Sequence, residues 1–94
     1  MTIIVTGRVR PGLMGMLTKY FIPIDSGVFI GNPSKKVREQ IFDKLSEIIE
    51  PEEFIIMAFP NKNSQGFSIK TAGATRYEIF CLEGLWLSKH KSSK

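Results

Sequence analysis

A short strand, a turn and a long amphipathic helix follow one another in residues 27–49, which read GVFIGNPSKKVREQIFDKLSEII. Residues 28–30 predict a strand, because β-branched and aromatic residues favour a pleated surface. Asn32 and Pro33 predict a helix start, because a side-chain cap is followed by a residue whose missing N–H is harmless in the first turn. The helix is predicted over residues 33–49 with one broad apolar face: Val37, Ile41, Phe42, Leu45, Ile48 and Ile49. A helix with such a face must pack against another element, so the segment requires a layered domain.

The charges on this helix run opposite to the order that its dipole favours. Its start is basic and its end is acidic: Lys35, Lys36 and Arg38 against Glu47, Glu50, Glu52 and Glu53. A helix macrodipole favours the reverse placement by about 0.3–1 kcal/mol per charge. The inversion indicates either a phosphate ligand at the helix start or a solvated face on which the charges have little effect. Arg38 also falls within the apolar arc, where its guanidinium must reach outward or find a partner.

The first and third quarters of the chain add the other large elements. A β-branched run at residues 2–6 predicts a strand buried on both faces. Apolar residues then recur at helical spacing from Pro11 as far as Pro23, which predicts a first helix. Residues 53–59 and 66–71 predict two strands joined as an antiparallel hairpin, the second with a solvated face at Ser68 and Lys70.

Two more short strands, at residues 77–81 and 85–88, are predicted around a turn at Glu83-Gly84. The order of elements predicts an α+β fold: a ferredoxin-like sandwich with two helices on one face of a four- to five-stranded, mainly antiparallel sheet. We expect residues 1–88 to form a single ferredoxin-like domain and residues 89–94 to form a basic mobile tail.

Composition excludes several kinds of chemistry. The chain has 94 residues, a net charge of +4, one cysteine, Cys81, and one histidine, His90. These counts exclude an internal disulfide and a zinc site built from cysteines, and His90 lies too far from any ordered nucleophile for a triad. Cys81 lies in an apolar run and is predicted to be a small core residue. No apolar run approaches the roughly 18 residues that span a bilayer, and residues 1–7 are too short for a signal peptide, so we expect a cytoplasmic protein without membrane contact.

Basic residues near the predicted ends of elements are the best represented functional groups. They are Arg8, Arg10, Lys35, Lys36, Arg38, Lys70 and Arg76, and such positions can reach phosphates. Arg76 ends the small-residue segment TAGATR, where the alternative is an ordinary surface arginine. Carboxylates are the remaining catalytic option, as ligands of Mg²⁺ in phosphodiester cleavage. No acid follows the first strand, where Thr6, Gly7 and Arg8 stand.

Residues 27–42, GVFIGNPSKKVREQIF, resemble the signature of the CRISPR-associated protein 2 family in its type I-E subclass. In that signature a Gly-Val-aromatic-aliphatic-Gly strand leads into a helix that begins Ser-x-Lys-aliphatic-Arg-Glu. The matching positions here are Gly27, Val28, Phe29, Ile30, Gly31, Ser34, Lys36, Val37, Arg38 and Glu39. The similarity continues through VRPGLMGMLTKYF, IIMAFPNKNSQGFSIKTAG and LEGLWL, and covers about residues 2–88 in register.

The resemblance implies a ferredoxin-like subunit that forms a symmetric homodimer, bridged by two dimers of the CRISPR integrase, CRISPR-associated protein 1. In this family the assembly captures short foreign DNA and inserts it as a new spacer. The dimer contributes a basic surface that contacts the phosphates of double-stranded DNA without reading its sequence, which agrees with the charge pattern. The candidate phosphate contacts are Lys36, Arg38 and Arg76 by position in the family, with Arg10 and Lys35 beside them. Two basic positions of the family are Met14 and Tyr77 here.

The family is also described as a metal-dependent endonuclease, with the activity ascribed to an acid at the end of the first strand. The corresponding position is Gly7, so the resemblance favours a non-catalytic scaffold that requires no cofactor. The alternative is a Mg²⁺-dependent endonuclease acting on RNA or DNA, with Glu83 or Asp25 in place of the missing acid.

The C-terminal segment is the predicted docking site for the integrase. The subclass has an apolar C-terminal end there, whereas this chain ends in a basic tail. We therefore expect docking at Leu85, Trp86 and Leu87, or through Lys89, Lys91 and Lys94 on an acidic partner surface.

Overall fold

Helices alternate with strands in the first half of the chain. In the computed structural model, which describes residues 1–7 and 11–91, this half contains β1 (Thr2–Thr6), α1 (Pro11–Leu17), β2 (Phe21–Asp25), β3 (Val28–Gly31) and α2 (Lys35–Ile48). Four strands follow: β4 (Phe54–Pro60), β5 (Phe67–Gly73), β6 (Tyr77–Leu82) and β7 (Leu85–His90). No helix within the described ranges is long and apolar enough to cross a membrane.

The sheet has the strand order β2-β3-β1-β4-β5, while β6 and β7 form a separate two-stranded sheet. All neighbouring strands are antiparallel. Two β-α-β units interleaved in this order give the ferredoxin-like arrangement, to which β5 adds an edge strand. The predicted α+β fold class is therefore confirmed.

The core lies between the sheet and both helices. Leu13 and Leu17 of α1 and Leu45 of α2 are at most 1% exposed and pack in one cluster with sheet residues. The sheet contributes alternate positions of its central strands: Ile4, Phe29, Ile55 and Met57. Since alternate residues of a strand share a face, both helices cover the same side of the sheet.

The opposite side of the sheet is only half-buried, although the sequence predicts β1 to be buried on both faces. Ile3 pairs with Ile30 and Ala58, and Val5 pairs with Val28 and Ile56. We call this apolar surface the open sheet face, and its half-buried members are Ile3, Val5, Val28, Ile30, Phe54, Ile56, Ala58 and Ile69. One end of this face borders the β6–β7 hairpin, because Tyr77 and Ile79 line a cavity together with Phe54 and Ile56.

The prediction of a first helix as far as Pro23 is wrong, because α1 ends at Leu17. The Thr18 hydroxyl donates to the Met14 carbonyl at 2.9 Å in the turn that follows. Residues Phe21–Asp25 instead form β2, at the edge of the sheet. An edge strand tolerates Pro23, since its missing N–H is not needed for a second neighbour.

Helix α2 begins later than the Asn32-Pro33 pair predicts. Ser34 is the N-cap residue, and its Oγ accepts a hydrogen bond from the Val37 N–H at 3.2 Å. Lys35 and Lys36 are therefore the first two helical residues. The short strand before α2 and its closure by Gly31 are confirmed.

The last strand includes two residues, Lys89 and His90, of the segment that is predicted to be a mobile tail. Strand β7 continues to His90, and its last two residues pair with Tyr77 and Glu78. The basic residues Arg8 and Arg10 and the tail residue Lys94 lie outside the described residues.

Candidate nucleic-acid interface

The start of α2 faces the end of β4 across a cleft with a predominantly basic lining. We call it the basic cleft, and its lining residues are Lys35, Arg38, Glu39, Phe59, Pro60, Asn61 and Lys62. Three cations thus face one carboxylate among the described residues. Because α2 packs over β4 through the core, the helix start and the strand end are held in a fixed relation.

Arg38 is the most constrained cation of the basic cleft. It is half-buried, and its guanidinium carbon lies 4.1 Å from the centroid of the Phe59 ring. Phe59 itself packs against the core cluster. No ion pair of Arg38 with a described carboxylate accompanies this contact. Arg38 lies on the apolar arc of α2 and therefore requires a partner, and this partner is an aromatic ring. The ring holds the guanidinium in place without neutralising its charge.

A second cation lies on an aromatic ring one strand further along. The Lys70 Nζ is 5.2 Å from the centroid of the Phe42 ring. Lys70 and Arg38 line one small pocket that also contacts Phe42, Met57 and Phe59. Basic side chains therefore continue from α2 across β4 to β5, with Glu39 as the one carboxylate in the lining of this small pocket.

One free N–H at the helix start, that of Val37, is capped from within the chain. Ser34 accepts hydrogen bonds from Val37 through its side chain and from Arg38 through its carbonyl, the latter at 2.8 Å. Lys35 and Lys36 are exposed, and Lys36 lies outside the lining of the basic cleft. Their two charges remain at the positive end of the helix dipole, as the sequence indicates.

Arg76 lies at the other end of the sheet. It is exposed and borders a cavity with Glu52, Phe54 and Tyr77. Phe54 is the first residue of β4 and Phe59 is its last but one, so about 17 Å of strand, at 3.3 Å per residue, separates the end that Arg76 borders from the ring that Arg38 contacts. The structure thus brings Lys35 and Arg38 together and places Arg76 apart from them.

Lys62 is a member of the basic cleft that the sequence analysis missed. It stands in a polar turn, residues 61–66, which the sequence marks only as a loop. The turn is ordered by its own side chains: the Lys62 N–H donates to Asn61 Oδ1 and the Gly66 N–H donates to Asn63 Oδ1, each at 2.7 Å. Its cation joins Lys35 and Arg38 only because β4 ends beside the start of α2.

The predicted docking residues Leu85, Trp86 and Leu87 differ in their surroundings. Leu85 and Leu87 are each 42% exposed and lie on one side of the β6–β7 hairpin, opposite Leu82 and Phe80. Trp86 points the other way, and its indole Nε1–H donates to Ser68 Oγ at 3.3 Å. The leucines are therefore free surface of the chain, whereas Trp86 attaches the hairpin to β5.

Two predictions in this region are wrong. Cys81 is not a core residue but a free, exposed thiol paired with Trp86 across the hairpin. Ser68 is not solvated but 6% exposed, because it faces the helix side of β5 and accepts hydrogen bonds from Asn61 and Trp86.

The carboxylates considered for metal binding are dispersed. Glu83 occupies the hairpin turn with a φ of 52°, and Asp25 Oδ1 accepts from the Ser26 N–H at 2.7 Å. Within residues 1–7 and 11–91, no three acids, histidines or cysteines group as metal ligands. At the end of β1, a Cβ on Gly7 would lie 2.5 Å from Cε2 of the Phe54 ring, so a side chain there requires that ring to move.

A comparison with protein families gives a match over nearly the whole chain. The model of the family described as CRISPR-associated protein (Cas_Cas2CT1978) matches residues 1–87. The matched range includes both helices, the five-stranded sheet and the hairpin as far as Leu87.

Proposed function

The chain belongs to this Cas2-type family of CRISPR-associated proteins, and from that premise we propose that it is the DNA-holding subunit of CRISPR spacer acquisition in a type I-E system. In this role a cytoplasmic homodimer binds short double-stranded DNA through phosphate contacts and bridges dimers of the CRISPR integrase. The observation that carries the proposal is the basic cleft, where Lys35, Arg38 and Lys62 converge.

The cations are suited to phosphate contacts rather than to base recognition. The guanidinium of Arg38 lies against the Phe59 ring rather than in an ion pair with a described carboxylate. Lys35 and Lys62 are exposed beside it, and lysine binds a phosphate as a point charge without a base-specific geometry. Neutralised phosphates release counterions, which supplies sequence-independent affinity. Arg76, at the other end of the sheet, contacts a further phosphate of the duplex in this proposal.

The open sheet face supports the homodimer in this proposal. Its aliphatic and aromatic side chains are half-buried within one chain. A symmetric partner that presents the same surface would cover it, as an isologous interface requires. A domain of this size buries only about 60–65% of its unfolded surface, so a dimer interface would add to its stability. The dimer would then present two basic clefts to one duplex.

The leucines of the β6–β7 hairpin support the integrase as the second partner. Leu82, Leu85 and Leu87 are 42–55% exposed, and the last two are the predicted docking residues. Docking there leaves the basic cleft free for DNA.

The first test is the salt dependence of duplex binding. We expect fluorescence anisotropy to show affinity that falls steeply between 50 and 500 mM salt and is equal for unrelated sequences. Replacing Lys35, Arg38 and Lys62 together by alanine should lower the salt slope by about 3, at roughly 0.9 per phosphate contact. The matched control replaces Lys19 and Lys44, which line a groove between the helices instead. Binding that does not change with salt would refute the proposal.

The second test separates the scaffold from the nuclease. Co-expression with the neighbouring integrase, followed by size-exclusion chromatography with a short duplex, should give one peak containing all components. An endonuclease would cleave labelled RNA or DNA in the presence of Mg²⁺, and a chelator would abolish the cleavage. If Glu83→Ala or Asp25→Ala also lacked that activity, the endonuclease alternative would be favoured over the scaffold.

A further inference from the structure

The turn at residues 61–66 carries Lys62 into the basic cleft and is hydrogen-bonded on both sides. Toward its own strands, the Asn61 N–H donates to the Gly66 carbonyl at 3.2 Å, and Asn63 Nδ2 donates to the Phe67 carbonyl at 2.7 Å. Asn61 Nδ2 donates in addition to the buried Ser68 hydroxyl at 2.5 Å. The turn therefore has a defined shape, and its shape decides where Lys62 stands.

The β6–β7 hairpin holds the same turn from outside. The Trp86 N–H donates to Gln65 Oε1 at 2.5 Å, and Gln65 Nε2 donates to the Trp86 carbonyl at 3.3 Å. The Trp86 indole adds the bond to Ser68, the residue to which Asn61 also donates. Trp86 of β7 thus shares two hydrogen bonds with Gln65 of the turn and donates a third to Ser68, the second residue of β5.

We propose that Trp86 and Gln65 are positioning residues of the basic cleft: the hairpin holds turn 61–66 so that Lys62 faces the same duplex backbone as Lys35 and Arg38. The inference rests on the proposed DNA-binding function and assigns to Trp86 a role other than partner docking. The hairpin's exposed Leu85 and Leu87 face away from these bonds.

Two substitutions remove the attachment by different routes. Trp86→Phe keeps an aromatic ring and removes the Nε1–H donor, and Gln65→Ala removes both bonds to the Trp86 backbone. We expect each to weaken duplex binding about two- to tenfold at 50 mM salt, the usual range for a lost hydrogen bond. We also expect the salt slope to fall by about one, since one phosphate contact is lost. Ser88→Ala, an exposed change on the same strand, is the matched control and should bind as the parent protein does.

The role of Lys62 is isolated by repeating both changes in a Lys62→Ala background. There we expect no further loss of affinity, because the cation that the hairpin positions is absent. Amide hydrogen exchange at residues 61–66 should accelerate in both single variants while the amides of β1 and β4 stay protected. Gln65 is exposed, so Gln65→Ala carries the test if Trp86→Phe does not fold.

The outcomes distinguish this inference from the function on which it rests. Parental affinity in Trp86→Phe and Gln65→Ala, or in Lys62→Ala itself, would overturn the positioning role while leaving the DNA-binding proposal intact. Parental affinity in the variant that lacks Lys35, Arg38 and Lys62 together would overturn the proposed function. Equal losses with and without Lys62 would also overturn the inference, since the hairpin would then act elsewhere.

Discussion

The guanidinium carbon of Arg38 lies 4.1 Å from the centroid of the Phe59 ring, and this contact joins the start of α2 to the end of β4. It holds a cation that no described carboxylate neutralises. Phe59→Leu should weaken duplex binding about two- to fivefold, because a cation–π contact that is not fully desolvated contributes about 0.5–1 kcal/mol. Anisotropy titrations of both proteins at 50 mM salt measure the difference.

Phe59→Trp is the matched control, since it retains a ring face for the guanidinium. A double-mutant cycle with Arg38→Ala should show that Phe59→Leu has no effect once the arginine is gone. An equal loss in the Arg38→Ala background would mean that Phe59 acts through core packing alone.

A substitution at Lys36 should change the stability of the protein and its affinity for DNA in opposite directions. Lys36→Glu places an acid at the second helical residue, where the dipole favours it by about 0.3–1 kcal/mol. We therefore expect the free energy of unfolding to rise in urea titrations while duplex affinity falls. Lys36→Gln removes the charge without reversing it. Its free energy of unfolding and its duplex affinity should lie between those of the parent protein and of Lys36→Glu. A decrease in both quantities for Lys36→Glu would show that the lysine stabilises the helix start.

Gly7 should be intolerant of any side chain. A Cβ there would lie 2.5 Å from the Phe54 ring, so Gly7→Ala should lower the free energy of unfolding by about 1–3 kcal/mol. Gly15→Ala is the control, since its Cβ would meet nothing within 4 Å and helix propensity favours alanine by about 1 kcal/mol. Phe54→Leu should reduce the loss in Gly7→Ala. Equal stability of Gly7→Ala and the parent protein would show that the ring moves freely.

Arg76 is predicted to act independently of Arg38. Arg76→Ala should weaken binding equally for unrelated duplexes and lower the salt slope by about one. Because about 17 Å of β4 separates Phe54, beside Arg76, from Phe59, beside Arg38, the losses in Arg38→Ala and Arg76→Ala should add in free energy. A loss confined to some sequences would instead assign Arg76 to base recognition.

Local sequence patterns predict much of this fold. The strand 28–30, the helix after it and the β4–β5 hairpin follow from residue types and spacing, and each is present. Strand β2 was missed because its apolar residues continue the spacing of α1 and because Pro23 reads as a helix stop. Only pairing with β3 makes Phe21–Asp25 a strand, and that pairing depends on tertiary structure rather than local propensity.

The candidate site likewise has a part that local sequence predicts and a part that depends on tertiary structure. Lys35 and Arg38 follow from one helix, so their proximity is predictable from its period. Lys62 joins them through the end of β4, and Trp86 reaches its turn across 21 residues of sequence. The apolar run around Cys81 predicts a buried residue, but Cys81 is exposed. Its strand belongs to a separate two-stranded sheet, so the run does not enter the core.

The two edges of the sheet have different capacities for growth. One edge is β2, where Pro23 has no N–H to offer a further strand, and the other is β5; neither is paired with another strand of the described residues. Strand addition is therefore favoured at β5 alone. Two molecules joined edge to edge through β5 would present only proline-bearing edges outward. Such an assembly terminates itself, so this sheet is protected from open-ended fibre formation at high concentration.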